Sequence, residues 1–345
     1  MKTRFIFQLF MLAIIIFLAS CVKEGPAGIS GIDGQDGQDG QDGQDGAVTC
    51  TVCHEGTIIS SKKFQYASSG HHEGLYVAYA GGRTSCAECH SSEGFIEYQY
   101  KGSVDLEISS PSAFSCKTCH LLHSTFEYTD FALRADSPVA LKFDGGTSVL
   151  DLGDASNLCV NCHQSRTAEP NTASPGETFK ITSTHYGPHH GPQANLFEGI
   201  GFAEIDGPIV YPASGSALHR TQASCVACHM DEYKDNTGDH TFKPSLTKCN
   251  SCHTFAATSF DYFGKQSAIQ SQLNELRDLL LDHGVIEWVE ADQSYEPIVG
   301  TYPMAQAQAY FNWIGLTEDQ SLGVHNPVYA RALLTNSISA MKAFN

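Results

Sequence analysis

Twelve of the chain's 13 cysteines and six of its 16 histidines fall into one five-residue pattern, Cys-x-x-Cys-His. The copies are Cys50, Cys53 and His54; Cys86, Cys89 and His90; Cys116, Cys119 and His120; Cys159, Cys162 and His163; Cys225, Cys228 and His229; and Cys249, Cys252 and His253. Cysteine and histidine frequencies alone predict about 0.02 such matches. Two thiols three residues apart share one face of a helical turn. There they straddle a porphyrin edge and form thioethers with its vinyl groups, while the adjacent histidine becomes the proximal iron ligand. Cysteine pairs also hold zinc, but zinc ribbons bring pairs together in fours and do not require a histidine after the second cysteine of every copy. A disulfide framework would leave that histidine without purpose. The expected cofactors are six haem c groups.

Six irons need six more axial ligands if all are six-coordinate. Ten histidines lie outside the motifs, at positions 71, 72, 123, 185, 189, 190, 219, 240, 283 and 325. Two of the five methionines, Met1 and Met11, belong to the N-terminal apolar run. Bis-histidine ligation is therefore the economical expectation, and it favours low reduction potentials.

The elements that must position these residues are uneven along the chain. Residues 1–20 carry Lys2 and Arg4 ahead of a short apolar run, which reads as a secretory signal rather than a spanning helix. From residue 25 to 46 glycine recurs at every third position, with later repeats of Gly-Gln-Asp. That period is a collagen signature, so a trimer through this tether stays open. With a single proline and stacked aspartates, a hydrophilic spacer is the plainer reading. Extended at about 3.1 Å per residue, it would reach roughly 70 Å.

Motif first cysteines are 36, 30, 43, 66 and 24 residues apart, in segments punctuated by Gly, Ser, Thr, Asn and Asp. Only short helical turns around each motif are expected. Apolar burial should come from haem faces, against Phe95, Phe114, Phe126, Phe242 and Tyr262. Beyond residue 264 the texture changes. Ile269, Leu273, Leu276, Leu279 and Leu280 share one face of a helix predicted over 266–283, stopped by Gly284. A second helix is predicted over 305–314. Asn326 and Pro327 supply the cap and first position of a third. The expected fold is mainly α with much irregular structure, a core of stacked haems and a C-terminal helical segment. The expected division is 1–20 signal peptide, 21–46 anchor and tether, and 47–345 hexahaem domain, with helices over 265–345.

Leu18-Ala19-Ser20-Cys21 resembles the lipobox of bacterial lipoproteins, which implies cleavage before Cys21 and acylation of that residue. Several acyl chains make a stable anchor. Val22 stands where an inner-membrane retention signal would place Asp, so the outer membrane is expected, at the cell surface or the periplasmic face. The Gly-Asp-rich stretch after Cys21 resembles those of outer-surface multihaem cytochromes of metal-reducing bacteria.

Short motifs within residues 50–335 are similar to those of the multihaem cytochrome superfamily that includes pentahaem nitrite reductase and octahaem hydroxylamine oxidoreductase relatives. The resemblance implies distal ligands. Ser69-Gly70-His71 looks like a distal-histidine segment, and His123 stands three residues beyond the third motif. His219 precedes the fifth motif, His240 lies in His-Thr-Phe-Lys-Pro, and His325 in Gly-Val-His-Asn-Pro. The sixth is taken as His185, with the choice among His185, His189 and His190 open. His283 is left out, because a helix C-terminus accounts for it.

The leading functional expectation is an electron carrier between a membrane-associated partner and a periplasmic or extracellular acceptor: a metal oxide, a soluble metal or another cytochrome. A nitrite-, hydroxylamine- or tetrathionate-type oxidoreductase with one open haem is the second class. The nitrite reductase pattern has Lys in its active-site motif, whereas every motif here ends in His. A filament subunit is the third, disfavoured by anchor and tether. A formal charge of −18 argues against nucleic acid and anionic lipid surfaces.

Overall fold

The computed structural model describes residues 57–123, 132–171, 178–253 and 258–344. The signal peptide, Cys21, the tether over 25–46, the first motif (Cys50, Cys53, His54) and Phe126 lie outside the described residues.

From residue 57 to 253 the chain forms eleven described helices, most of one turn: α1 Thr57–Tyr66, α2 Gly70–Glu73, α3 Val77–Ala80, α4 Ala87–His90, α5 Ser92–Lys101, α6 Cys116–Cys119, α7 Asn157–Val160, α8 Gln193–Glu198, α9 Leu218–Gln222, α10 Cys225–His229 and α11 Leu246–Cys252. Five of these lie at the described motifs, with Cys86 capping α4 and Cys162 two residues past the end of α7. Serines open several of them, as N-cap chemistry favours. The Ser245 hydroxyl accepts from the Lys248 amide at 3.1 Å. The Ser115 amide donates to Thr118 Oγ1 at 2.9 Å. After the second motif, α5 packs directly on the motif turn: a Cβ at Gly94 would come 2.3 Å from the Ala87 carbonyl oxygen. Only glycine permits that approach.

Strands are short and paired in twos. β1 Val139–Ala140 pairs with β2 Val149–Leu150, and β4 Ile286–Val289 with β5 Ser294–Pro297, both antiparallel. β3 Thr178–Ile181 pairs with β6 Gly300–Pro303, from Thr178 opposite Pro303 to Ile181 opposite Gly300. This last ladder ties the loop ahead of the histidine-rich segment to the C-terminal part.

Three long helices close the chain: α12 Lys265–Asp282, α13 Met304–Asp319 and α14 Pro327–Lys342. The first and third match the apolar periodicity. The Asn326 side chain caps α14 by accepting from the Tyr329 amide at 3.2 Å, with Pro327 at the first position. The second runs past residue 314, where the sequence pattern placed its end. Its buried face continues through Leu316, and the helix stops where Gln320 turns left-handed at φ 61°. Leu273, Leu276 and Leu280 meet Tyr310, Trp313 and Leu316 and then Tyr329, Leu333 and Leu334 in one core, joined by Ile181, Leu196, Phe202 and Ile205. Two fully buried asparagines fasten the incoming loop. Asn312 exchanges bonds with both backbone groups of Ala203 (2.9 and 2.7 Å), and Asn336 does the same with Ile209 (3.0 and 2.8 Å). The motif region has only a small cluster, Val139, Leu141, Leu150, Val160 and Ala194. Among the described residues, no helix is long and apolar enough to cross a membrane.

Candidate haem-ligand pairs

Each of the five described motif histidines faces one histidine from elsewhere in the chain. His163 faces His71 with ring centres 6.0 Å apart, and His90 faces His189 at 6.1 Å. His253 faces His219 at 6.2 Å, and His120 faces His240 and His229 faces His325, both at 6.3 Å. Metal–imidazole bonds of about 2 Å, and ring atoms roughly 1.15 Å from the centre of a five-membered ring, put two rings ligating one iron roughly 6.3 Å apart. Direct packing of two rings would bring them closer, as Tyr262 does to His253 at 4.6 Å. The five gaps therefore fit one metal atom between each pair of rings.

The outer nitrogens agree. A ligating histidine normally commits its other nitrogen to an acceptor, which fixes ring and tautomer. His163 Nδ1 meets Gln193 Oε1 at 3.0 Å, His229 Nδ1 the Phe242 carbonyl at 2.9 Å and His219 Nδ1 the Val324 carbonyl at 2.5 Å. His240 Nδ1 lies 2.6 Å from Asp239 Oδ1, and His325 Nδ1 2.6 Å from Asp319 Oδ1. In all five, Nε2 is left for the facing side.

Burial also prepares the rings. It pushes His71 down to about 4, with His163 opposite adding to the effect, and His189 likewise down to about 4, helped by Arg166 and its histidine neighbours. His90, His163 and His229 are lowered for the same leading reason. A neutral imidazole is the form that binds metal. His325 differs: burial lowers it, but the Asp319 carboxylate outweighs burial and raises it.

His123, expected from the sequence as a ligand, has a left-handed backbone at φ 55°. His185 is exposed, its amide bonded to Ser183 Oγ at 3.1 Å; the ring opposite His90 belongs to His189. His190, next along, pairs with Glu318 at 2.7 Å and stacks on Tyr76. Three histidines within six residues gave no sequence signal for which would turn inward. His283 closes α12 against Gln306 and Phe344 and faces no motif histidine.

The ten described cysteines are all free thiols, as thioether formation requires. Among the described residues, no group of three or more His, Cys, Asp and Glu converges to hold a bare metal ion, which leaves the zinc alternative without a site there. Of the aromatic residues expected at haem faces, Phe114, Phe242 and Tyr262 lie beside these histidine rings, whereas Phe95 packs on Phe114. Phe114 stacks on His71 at 5.8 Å and Phe242 meets it edge-on at 4.8 Å.

No protein-family model matches the chain, and no curated protein does. In fold, the chain is similar to the crystal structure of the outer cell wall cytochrome OcwA, at 19% sequence identity and a TM-score of 0.52, covering 81% of this chain and 50% of that one. This chain thus spans about half the length of that protein.

Proposed function

We propose that this protein is an electron carrier whose six covalent haems, mostly bis-histidine, relay electrons between a membrane-associated donor or acceptor and a partner in the periplasm or outside the cell. The observation that carries this reading is the set of five facing histidine pairs at 6.0–6.3 Å. Haem supplies a one-electron ferric/ferrous couple. The chain's part is to saturate each iron, so that no substrate site opens and little reorganises on reduction.

Proximal ligands are His54, His90, His120, His163, His229 and His253. His189, His240, His71, His325 and His219 serve the second to sixth sites respectively. His123 is assigned to His54. The interleaving supports the relay: residues far apart in sequence, such as 71 and 163, supply one site, so each segment is held by several cofactors. Acylated Cys21 and the 25–46 tether would hold the domain at an outer-membrane surface, with basic redox proteins or cationic metal species steered to its negative charge. A kinship to an outer cell wall cytochrome favours an exported location.

Electron paramagnetic resonance of the oxidised holoprotein tests the proposal. Low-spin ferric haem should account for at least five of six irons. A dominant high-spin signal, with nitrite or carbon monoxide binding at several sites, would overturn it.

A further inference from the structure

Resting on the ligand pairs above, we infer that the relay is branched, with the fourth-motif haem, held by Cys159, Cys162, His163 and His71, as a three-way junction to the second, third and fifth.

Three sets of contacts converge on that site. Towards the second motif, Cys89 Sγ reaches the Asn161 carbonyl at 3.7 Å, and Cys162 Sγ reaches the Glu88 carbonyl at 4.0 Å, so each motif grips the backbone of the other. Gln99 locks the same joint by donating to Asn161 Oδ1 at 2.9 Å. Towards the fifth motif, the Val226 amide donates to Ser156 Oγ at 3.0 Å, and Ser224 Oγ donates to Asp154 at 2.6 Å. Towards the third, Phe242 is wedged between His71 at 4.8 Å and His240, the ring facing His120, at 6.0 Å.

Both thioether sulfurs of one motif flank a single porphyrin edge. The turn that carries the fourth motif bonds to the second motif on one flank and to the fifth on the other, and its His71 side adjoins the third. Phe242 touches the fourth site and two of its arms, since its carbonyl also accepts from His229 Nδ1 of the fifth site at 2.9 Å. It does so at φ 56°, a left-handed backbone that bulky residues avoid unless the surroundings impose it. Each hop oxidises one ferrous iron and reduces the neighbouring ferric one, with no atom transferred. Among the described sites, the sixth adjoins the fifth: His219 is supported by Val324, next to His325. The fourth site therefore offers the second, third and fifth a common neighbour.

The test is His71→Met in the holoprotein, followed by a spectroscopic potentiometric titration. Methionine in place of histidine raises the potential of the haem it ligates. That haem then takes its electron first, and the added negative charge lowers the midpoints of its immediate neighbours. Among the five haems of the described sites, the expected result is one midpoint up, three down and the sixth-site haem unchanged. One up with fewer than three of these down overturns the junction and leaves the electron-carrier reading standing. None up means that His71 is not a ligand, and the pairing beneath this inference fails. An anomalous iron map of the wild-type holoprotein gives an independent answer. The irons of the second, third and fifth sites should each lie nearer the fourth than the sixth-site iron does, and any other order overturns the proposal.

Discussion

Residues 57–253 and residues 265–344 solve the burial problem in opposite ways. The C-terminal part has helices of 18, 16 and 16 residues whose apolar stripes meet in one core. The motif region is built mostly from short helices and loops; its own apolar cluster is five buried residues, and Ile181, Leu196, Phe202 and Ile205 join the C-terminal core instead. An isolated helical turn is unstable in water, and so small a local core does little against the ordering entropy of nearly two hundred residues. The contrast teaches that the motif region's fold follows its histidine pairs: rings held 6.0–6.3 Å apart, a gap that fits one metal atom. The C-terminal part is written in the ordinary code of hydrophobic periodicity.

The sharpest way to break this comparison is to withhold the cofactor. In chain produced without haem attachment, amide hydrogen exchange should be fast throughout the motif region and remain protected in α12–α14. Equal loss in both would mean that the helices too depend on haem. Next in size, Leu276→Ala, at a fully buried core position, should cost about 2–5 kcal/mol of stability. It should leave haem content and the visible spectrum unchanged; loss of haem would erase the distinction between the regions.

Smaller, and confined to one site, is removal of a facing ring. His189→Ala should turn one haem of six high-spin and let it bind carbon monoxide, as should His325→Ala, whereas His185→Ala and His283→Ala should leave the spectrum untouched. A high-spin signal from His185→Ala would reverse the assignment. The smallest effect expected is from Asp319→Asn. The fully buried carboxylate strengthens His325 as a donor through its Nδ1. Neutralising it should raise the midpoint of that one haem while the protein stays wholly low-spin. An unchanged titration would show that the carboxylate only orients the ring.

How far this could be read beforehand follows from the same contrast. The Cys-x-x-Cys-His copies and the cap at Asn326 are local signals, complete within a few residues. The long helices needed only a 3.6-residue period. Even so, α13 runs on to Asp319 beyond the expected 305–314, through Gly315, where Phe202 fills the space a Cβ would take, at 2.6 Å. The pairing of β3 with β6 was missed too; four-residue strands more than a hundred residues apart carry no alternation to read. Which histidine meets which motif is set by tertiary approach. His189 rather than His185 turns towards His90 because of a left-handed backbone at φ 75°, a property of the assembled loop and invisible in a string of three histidines.

One short stretch, residues 318–326 between the last two helices, touches the supports of four sites. Glu318 holds His190 beside His189. The carbonyls of Glu318 and Asp319 accept from Gln193 at 3.4 and 3.3 Å, and Gln193 in turn steadies His163. Asp319 holds His325, and the Val324 carbonyl holds His219. In circuit language these four sites share a reference. A displacement of this stretch shifts their levels together as a common-mode signal, so the differences between neighbours, which decide where a charge moves next, fluctuate less than the levels themselves.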